Sequence, residues 1–430
     1  MELLDARLLK AGLSWTLIFA VSSMVLGPSF QCGYNLGVIN APQKVFEDFY
    51  NKTYYDRTGE PMTDGMLNLL WSFSVAGTAA GGVFGGMSTA FMTDKLGRKP
   101  TILLNNILAL VSAALFIFSK MLSSFEMIIV GRILIGIHAG LSSGAVPLYI
   151  VEISPKHLRG AMGTMHQAAV VISILISQIL GLPQLLGNEE LWPYLLGVCA
   201  LPAIYNLLTM GIFLPETPRY LLFAKNDVKK AESALMYLRG KYYSSTELYE
   251  IHALAREQKD VPTTNWTYLF REPHLRKPMF ISIAIHLAQQ LSGVNAVVYY
   301  STSIFITAGL AETSAVYATI GLGTVNMLST FVSVYLVERL GRSVSAQMGS
   351  YVFLIFAGCI ALLITYIFFT LPETKGKTIE EISAVFMKAE PQMSGVGEYD
   401  NEGFTHYDSR TAKLGTKRRL SMQKSVSQVI

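Results

Sequence analysis

Nine stretches of this chain run without a single Asp, Glu, Lys or Arg: 11–43, 65–93, 100–119, 133–151, 160–188, 191–215, 278–311, 313–337 and 343–372. A helix needs about 20 apolar residues to cross the hydrocarbon core of a bilayer, and each run is of that order. Lipid offers no partners for backbone N–H and C=O groups, so the spans must be helices or the strands of a closed barrel. Barrel strands would show segments of about 10 residues with alternating polarity, and 281–291 does not alternate. With 51% hydrophobic and 15% charged residues, the chain reads as an all-α polytopic membrane protein and not as a soluble enzyme. The three cysteines, Cys32, Cys199 and Cys359, lie inside apolar runs, so they form neither a disulfide framework nor a metal cluster. The first run follows Arg7 and Lys10 but far exceeds a signal-peptide core of about 7–15 residues, and it reads as the first membrane helix.

Lys and Arg accumulate on the cytoplasmic side of a membrane protein, which orients the spans. Arg7 and Lys10 precede run one; Lys95, Arg98 and Lys99 follow run two; Lys156 and Arg159 follow run four. The long segment between runs six and seven is the richest in Lys and Arg. The alternate loops are poor in them, except after run one, where Lys44, Lys52 and Arg57 are offset by acids. The N-terminus and the even-numbered loops are therefore expected inside. The layout is a cytoplasmic tail at 1–12, a six-helix half at 13–213 and a cytoplasmic helical linker at 214–277, followed by two helices at 278–342, a final span at 343–371 and a cytoplasmic tail at 372–430. Within the linker, 231–238 and 247–257 read as short amphipathic helices. Six helices followed by a charged linker suggest a transporter built from two homologous halves, with a channel as the weaker alternative. One conflict stands out: Arg339 and Arg342 put the end of run eight inside, and Lys375 to Arg419 put the tail after run nine inside too. A single crossing cannot join two inside ends.

The charged loops carry a set of motifs: DKLGRK at 94–99, GR at 131–132, EISPKHLRG at 152–160, PETPR at 215–219, ERLGR at 338–342 and PETKG at 372–376. With QQLSGVNAVVYYSTSIF at 289–305 and CGYNLGVINAPQKVFEDFYN at 32–51, they resemble the sugar porter family of the major facilitator superfamily. Within it the similarity is to the animal facilitative glucose transporters. That family has twelve helices. Matching in order assigns runs one to eight to helices one to eight and run nine to helix twelve. The segment for helices nine to eleven is then absent, roughly 80–100 residues at about 20 per span plus loops. The resemblance thus implies a major facilitator fold with a complete N-terminal half, a truncated C-terminal half and about nine membrane helices, and three missing crossings account for the orientation conflict.

A hexose presents hydroxyls that both donate and accept, and the amides of Gln and Asn match both capacities without charge. Run seven concentrates His286, Gln289, Gln290 and Asn295. Spacings of three and four put His286, Gln289 or Gln290, and Gly293 on one face, whereas Asn295 falls off it unless the helix unwinds near Gly293, as discontinuous transporter helices do. Gln167 and Gln178 share one stripe of run five, and Asn326 sits in mid-run eight. Hydrogen bonding between packed spans is the plainer role for any one of these amides. The family resemblance implies sugar contacts for Gln167, Gln289, Gln290, Asn295 and Asn326, and a gate on the outer side at Tyr299 and Tyr300. It also implies pocket walls at Val171, Ile174, Gln178, His286 and Asn35. The alternative for the tyrosine pair is an interfacial belt. Two departures bear on specificity: His286-Leu287-Ala288 resembles relatives that also accept fructose, and Cys32 stands where relatives carry an aromatic.

Proton-coupled relatives hold an Asp at the position of Asn35, which cannot titrate, and no carboxylate lies between Lys10 and Lys44 or within runs five, seven or eight. Gly376, Lys377 and Thr378 mimic the end of a phosphate-binding loop, but Leu371 occupies the place of its required glycine. Downhill uniport of a hexose, D-glucose foremost, across the plasma membrane is the expectation. Its alternatives are a transport-incompetent shortened form acting as a regulatory or dominant partner, and a proton-coupled symporter. Asp94, Arg98, Glu152, Arg159, Glu216, Arg219, Glu338, Arg339 and Arg342 resemble the family's cytoplasmic latch between halves, against the plainer reading of ordinary positive-inside charge. Asn51-Lys52-Thr53 is a glycosylation sequon on the expected outer side, whereas the sequon at Asn265 is expected to stay bare inside. Gly77, Gly81, Gly82, Gly85 and Gly86 follow small-xxx-small spacing for close helix packing. Lys417-Arg418-Arg419-Leu420-Ser421 has the pattern of a basophilic kinase site. The expected partners are the hexose and the bilayer, with no nucleic acid, cofactor, metal or catalytic residue.

Overall fold

The computed structural model describes residues 13–259, 270, 273–291, 293–307 and 310–340, apart from the side chains at 257–259, 273, 274, 277, 278, 281, 285, 307 and 333–340. Run nine, Arg342, Asn265 and Ser421 lie outside these residues, as do the side chains of Glu338 and Arg339.

The first span is two helices joined at a kink. In α1 (Trp15–Met24) the Ser14 hydroxyl accepts the Leu17 N–H at 3.0 Å, a side-chain cap for one of the donors a helix start leaves unpaired. Pro28 has no N–H to donate, and the helix loosens over Val25–Ser29 before resuming as α2 (Phe30–Gly37). A polar helix, α3 (Gln43–Thr58), follows. The rest of the first half comprises α4 (Asp64–Lys95), α5 (Arg98–Met121), α6 (Phe125–Ile153), α7 (Arg159–Leu180), α8 (Trp192–Gly197) and α9 (Ala200–Leu208). The linker folds as α10 (Pro218–Phe223), α11 (Val228–Arg239) and α12 (Ser245–Lys259), its two amphipathic helices running a little longer than the sequence suggests. Then come α13 (Pro273–Leu291), α14 (Val294–Thr307) and α15 (Glu312–Leu340).

Seven helical segments among the described residues are long and apolar enough to cross a membrane, and they correspond to runs one to six and run eight. Run seven is the broken pair α13–α14. The charge-free criterion misjudged one boundary: it started span four after Arg132, yet α6 begins at Phe125 and buries Arg132 completely.

Helix–helix contact in lipid depends on close approach of small residues. Between α4 and α6 the backbones touch: a Cβ added at Gly81 would lie 2.1 Å from the Ile133 carbonyl oxygen, and one at Gly85 2.2 Å from that of Ile137. Gly77 faces Ile133 in the same seam, whereas Gly86 borders open space. Two apolar clusters hold the ends of the first half. One gathers Tyr34, Phe46, Tyr50, Trp71, Phe116 and Trp192, near α3. The other gathers Leu17, Met24, Tyr149, Ile153 and Met210, near the linker. A buried polar seam also ties its helices together. Gln31 donates to Asn106 Oδ1 at 3.0 Å, Asn106 to Asn206 Oδ1 at 2.8 Å, and Asn206 to Ser23 at 2.9 Å.

The linker is docked on this half. Arg239 pairs with Glu247 at 2.7 Å and donates to the Ile153 carbonyl at 2.7 Å, capping the end of α6. From α1, Thr16 donates to the Tyr237 carbonyl at 2.6 Å, and Ser14 bonds the Leu238 carbonyl.

Candidate functional site

The helix after the linker breaks where its glycine permits. Gly293 has φ +73°, a left-handed conformation open to a residue without Cβ, and α13 ends there while α14 begins. In a straight helix residues five apart sit about 140° round from each other. Across this break Asn295 instead reaches back and donates to Gln290 Oε1 at 2.5 Å. Gln289, Gln290, Asn295 and His286 are all exposed. An exposed amide group of this kind offers paired donors and acceptors to a polyol.

The stripe on α7 meets two environments. Gln167 is exposed, whereas Val171, Ile174 and Gln178 are buried. Gln178 lies under α15: a Cβ added at Gly323 would sit 2.1 Å from its Oε1, an atom without a hydrogen-bond partner. Asn326, one turn beyond Gly323, is half-buried.

The two halves are clasped at the α3 end of the bundle. Asn40 is fully buried; its Nδ2 donates to the Val298 carbonyl and to Ser301 Oγ, both at 2.7 Å, and its Oδ1 accepts the Thr302 N–H at 3.3 Å. Ser303 donates to Gln43 Oε1 at 2.8 Å, and Lys44 pairs with Glu312 at 2.9 Å. Beneath these contacts Tyr299 and Tyr300 pack half-buried against the cluster that contains Tyr34 and Phe46. Sequence reasoning assigned Asn40 no role. Its one signal was an amide closing an apolar helix just before Ala41-Pro42.

Next to the clasp lies a buried cation. Arg132 is fully buried, and it donates to the Asn35 carbonyl at 2.8 Å and to the Ser74 carbonyl at 3.3 Å. Asn35 belongs to the last turn of α2, whose carbonyls carry the negative end of the helix dipole, so the guanidinium caps that helix. Asn35 Oδ1 and Arg132 Nη2 have no hydrogen-bond partner.

At the opposite end lie the described latch residues, on the first half and the start of the linker. Arg98 makes a two-pronged pair with Glu152 at 2.8 and 3.0 Å and lies 3.7 Å from Asp94. Thr217 donates to Glu152 at 2.6 Å, Arg159 donates to the Ser154 carbonyl at 3.3 Å, and Arg219 lies 4.9 Å from the Phe223 ring centroid. Burial pushes the Glu216 carboxyl up, while the backbone N–H groups of Thr217 and Lys99, bound at 2.8 and 3.1 Å, pull it down. Such an acid favours its protonated form in the fold. Its contribution is full below its unfolded pKa and is lost as the pH rises through its folded one. Glu216→Gln keeps an acceptor for both N–H groups. We therefore expect its thermal midpoint to match or exceed the parent's at pH 7 and to fall less between pH 4 and 7.

Residues 20–350 and 343–386 match the family described as sugar (and other) transporter. The chain belongs to the sugar transporter family. Within it, this family member falls in the branch of the animal facilitative glucose transporters. It is 48% identical over 326 residues to facilitated glucose transporter member 1 of Gallus gallus, covering 76% of this chain and 66% of that protein. It is 44% identical over 349 residues to member 5 of Bos taurus, covering 81% and 70%. The chain thus spans about two thirds of the length of these relatives, in keeping with a missing segment for helices nine to eleven. The fold is that of the major facilitators. The partially occluded, inward-open xylose transporter XylE from E. coli superposes with a TM-score of 0.61 at 19% identity, covering 87% of each chain. The XylE proton:xylose symporter bound to 6-bromo-6-deoxy-D-glucose gives 0.62 at 21% identity, covering 86% of this chain and 79% of that one.

Proposed function

We propose that this chain carries a hexose, D-glucose foremost, across the plasma membrane by uncoupled alternating access. The observation that carries this reading is the break at Gly293, which sets the amides of Gln290 and Asn295 side by side and exposed, next to Gln289. The names of the relatives, facilitated glucose transporters, support the substrate class. In this reading Gln167, Gln289, Gln290, Asn295 and Asn326 contact the sugar, with Val171, Ile174, Gln178 and His286 as walls. The α3 end faces outward, closed by the Asn40 clasp and the tyrosine pair. Asn51, exposed on α3, is the glycan acceptor, and both termini are cytoplasmic. Asn35 brings no proton to the site, which supports uniport. The latch residues of the first half would engage Glu338, Arg339 and Arg342 when the carrier opens outward.

The test is uptake into liposomes. We expect D-glucose to enter faster than L-glucose, with no response to a protonophore. Gln167→Ala and Gln290→Ala should each reduce uptake at low substrate about tenfold, the worth of a hydrogen bond of about 1.4 kcal/mol. Competition by D-fructose would extend the substrate range in the direction His286 suggests. A second reading has its own support in the two-thirds length: a shortened form that does not transport and acts as a regulatory partner. A folded preparation without stereospecific uptake would favour it.

A further inference from the structure

We infer that a water molecule is bound, out of contact with bulk solvent, between His138 and Asn105 in the seam of α5 and α6. The site is independent of what the protein carries. His138 is 0% exposed, and neither of its ring nitrogens has a hydrogen-bond partner. A neutral imidazole brings one donor and one acceptor, so both capacities are unmet. Asn105, also buried, faces it from α5: its Nδ2 donates to the His138 carbonyl at 3.0 Å and to Ser142 Oγ at 2.8 Å, which leaves its Oδ1 unpaired. The Cys32 thiol lies 3.9 Å from the carbonyl of Ala139, the residue after His138.

Buried polar atoms almost always find a partner, and three orphans on two residues joined through the His138 carbonyl are an exception that calls for a bridging molecule. The ligand must be small and neutral and must both donate and accept. Water meets all three needs, and buried waters typically make about three bonds to groups otherwise unpaired. A metal is a poorer match, since no group of three or more His, Cys, Asp or Glu side chains suited to one occurs among the described residues. A sugar hydroxyl is excluded because His138 has no exposed surface.

Pulsed X-ray radiolysis in oxygen-18 water tests the site, since a bound water makes hydroxyl radicals in place and labels its neighbours even where bulk solvent cannot reach. The full chain in nanodiscs should show label at His138 and at Cys32, which is 7% exposed, several-fold above Met24 and Met210. Those two are reactive side chains, as buried as His138 and more so than Cys32, in the apolar cluster near the linker. His138→Leu should bring labelling of Cys32 down toward the level of those methionines. Label at His138 and Cys32 no greater than at Met24 and Met210 would overturn the site, as would a folded His138→Leu variant with Cys32 labelled as before.

Discussion

Asn40→Ala is expected to unfasten the α3 end of the bundle. The amide makes three bonds across the halves, to the Val298 carbonyl, Ser301 Oγ and the Thr302 N–H. Alanine removes them all. Each buried group left unpaired costs about 1–3 kcal/mol, so the balance between closed and open forms should shift tenfold or more. Lys44–Glu312, a few residues away, is the contrasting case. Both of its side chains are more than half exposed, and such pairs contribute about 0–1 kcal/mol. Spin labels at Asp56 and Ser314 read the difference. The Asn40→Ala distribution should gain a long-distance component that Glu312→Gln lacks, and an unchanged distribution would dispose of the clasp.

The second large effect is expected from Asn35→Asp. The native amide leaves its Oδ1 unpaired while Arg132, whose Nη2 is also unpaired, bonds the carbonyl of the same residue. A carboxylate at that place would pair with the guanidinium in a medium of low dielectric, where opposite charges attract strongly. The pair ties α2 to α6 when charged and releases them when protonated. The guanidinium holds such a carboxyl below its usual range, so uptake by the variant should change several-fold as the pH falls from 6 toward about 4, whereas the parent should respond little. Equal pH profiles would mean that Asn35 is remote from the moving parts.

The helices were legible from charge alone, because lipid penalises an unpaired ion more than any other group, and runs one to six and run eight return as spans. The same rule failed at Arg132. It treats a cation as the edge of a span, whereas here the end of a neighbouring helix answers the charge, an arrangement that no spacing along one helix reveals. Glycine spacing foretold the α4–α6 seam at Gly81 and Gly85 but could not separate them from Gly86, since that depends on where the partner helix lies. Periodicity put Gln167 and Gln178 on one stripe, yet one is exposed and the other lies beneath α15. Asn40 was invisible for the same reason: its partners lie more than 250 residues along the chain. His138 and Asn105 passed unnoticed because a polar side chain within an apolar run shows nothing of whether it has found a partner.

The manner in which Arg132 is held has an electrical consequence. Carrying a full charge across the whole membrane potential involves about 2.3 kcal/mol per 100 mV. This guanidinium is anchored to α2 and α4 of its own half, so it travels only as far as that half tilts and traverses little of the field. With the uncharged hexose proposed above as cargo, the turnover cycle should be almost silent to voltage: clamping the membrane at different potentials would leave the flux where it was.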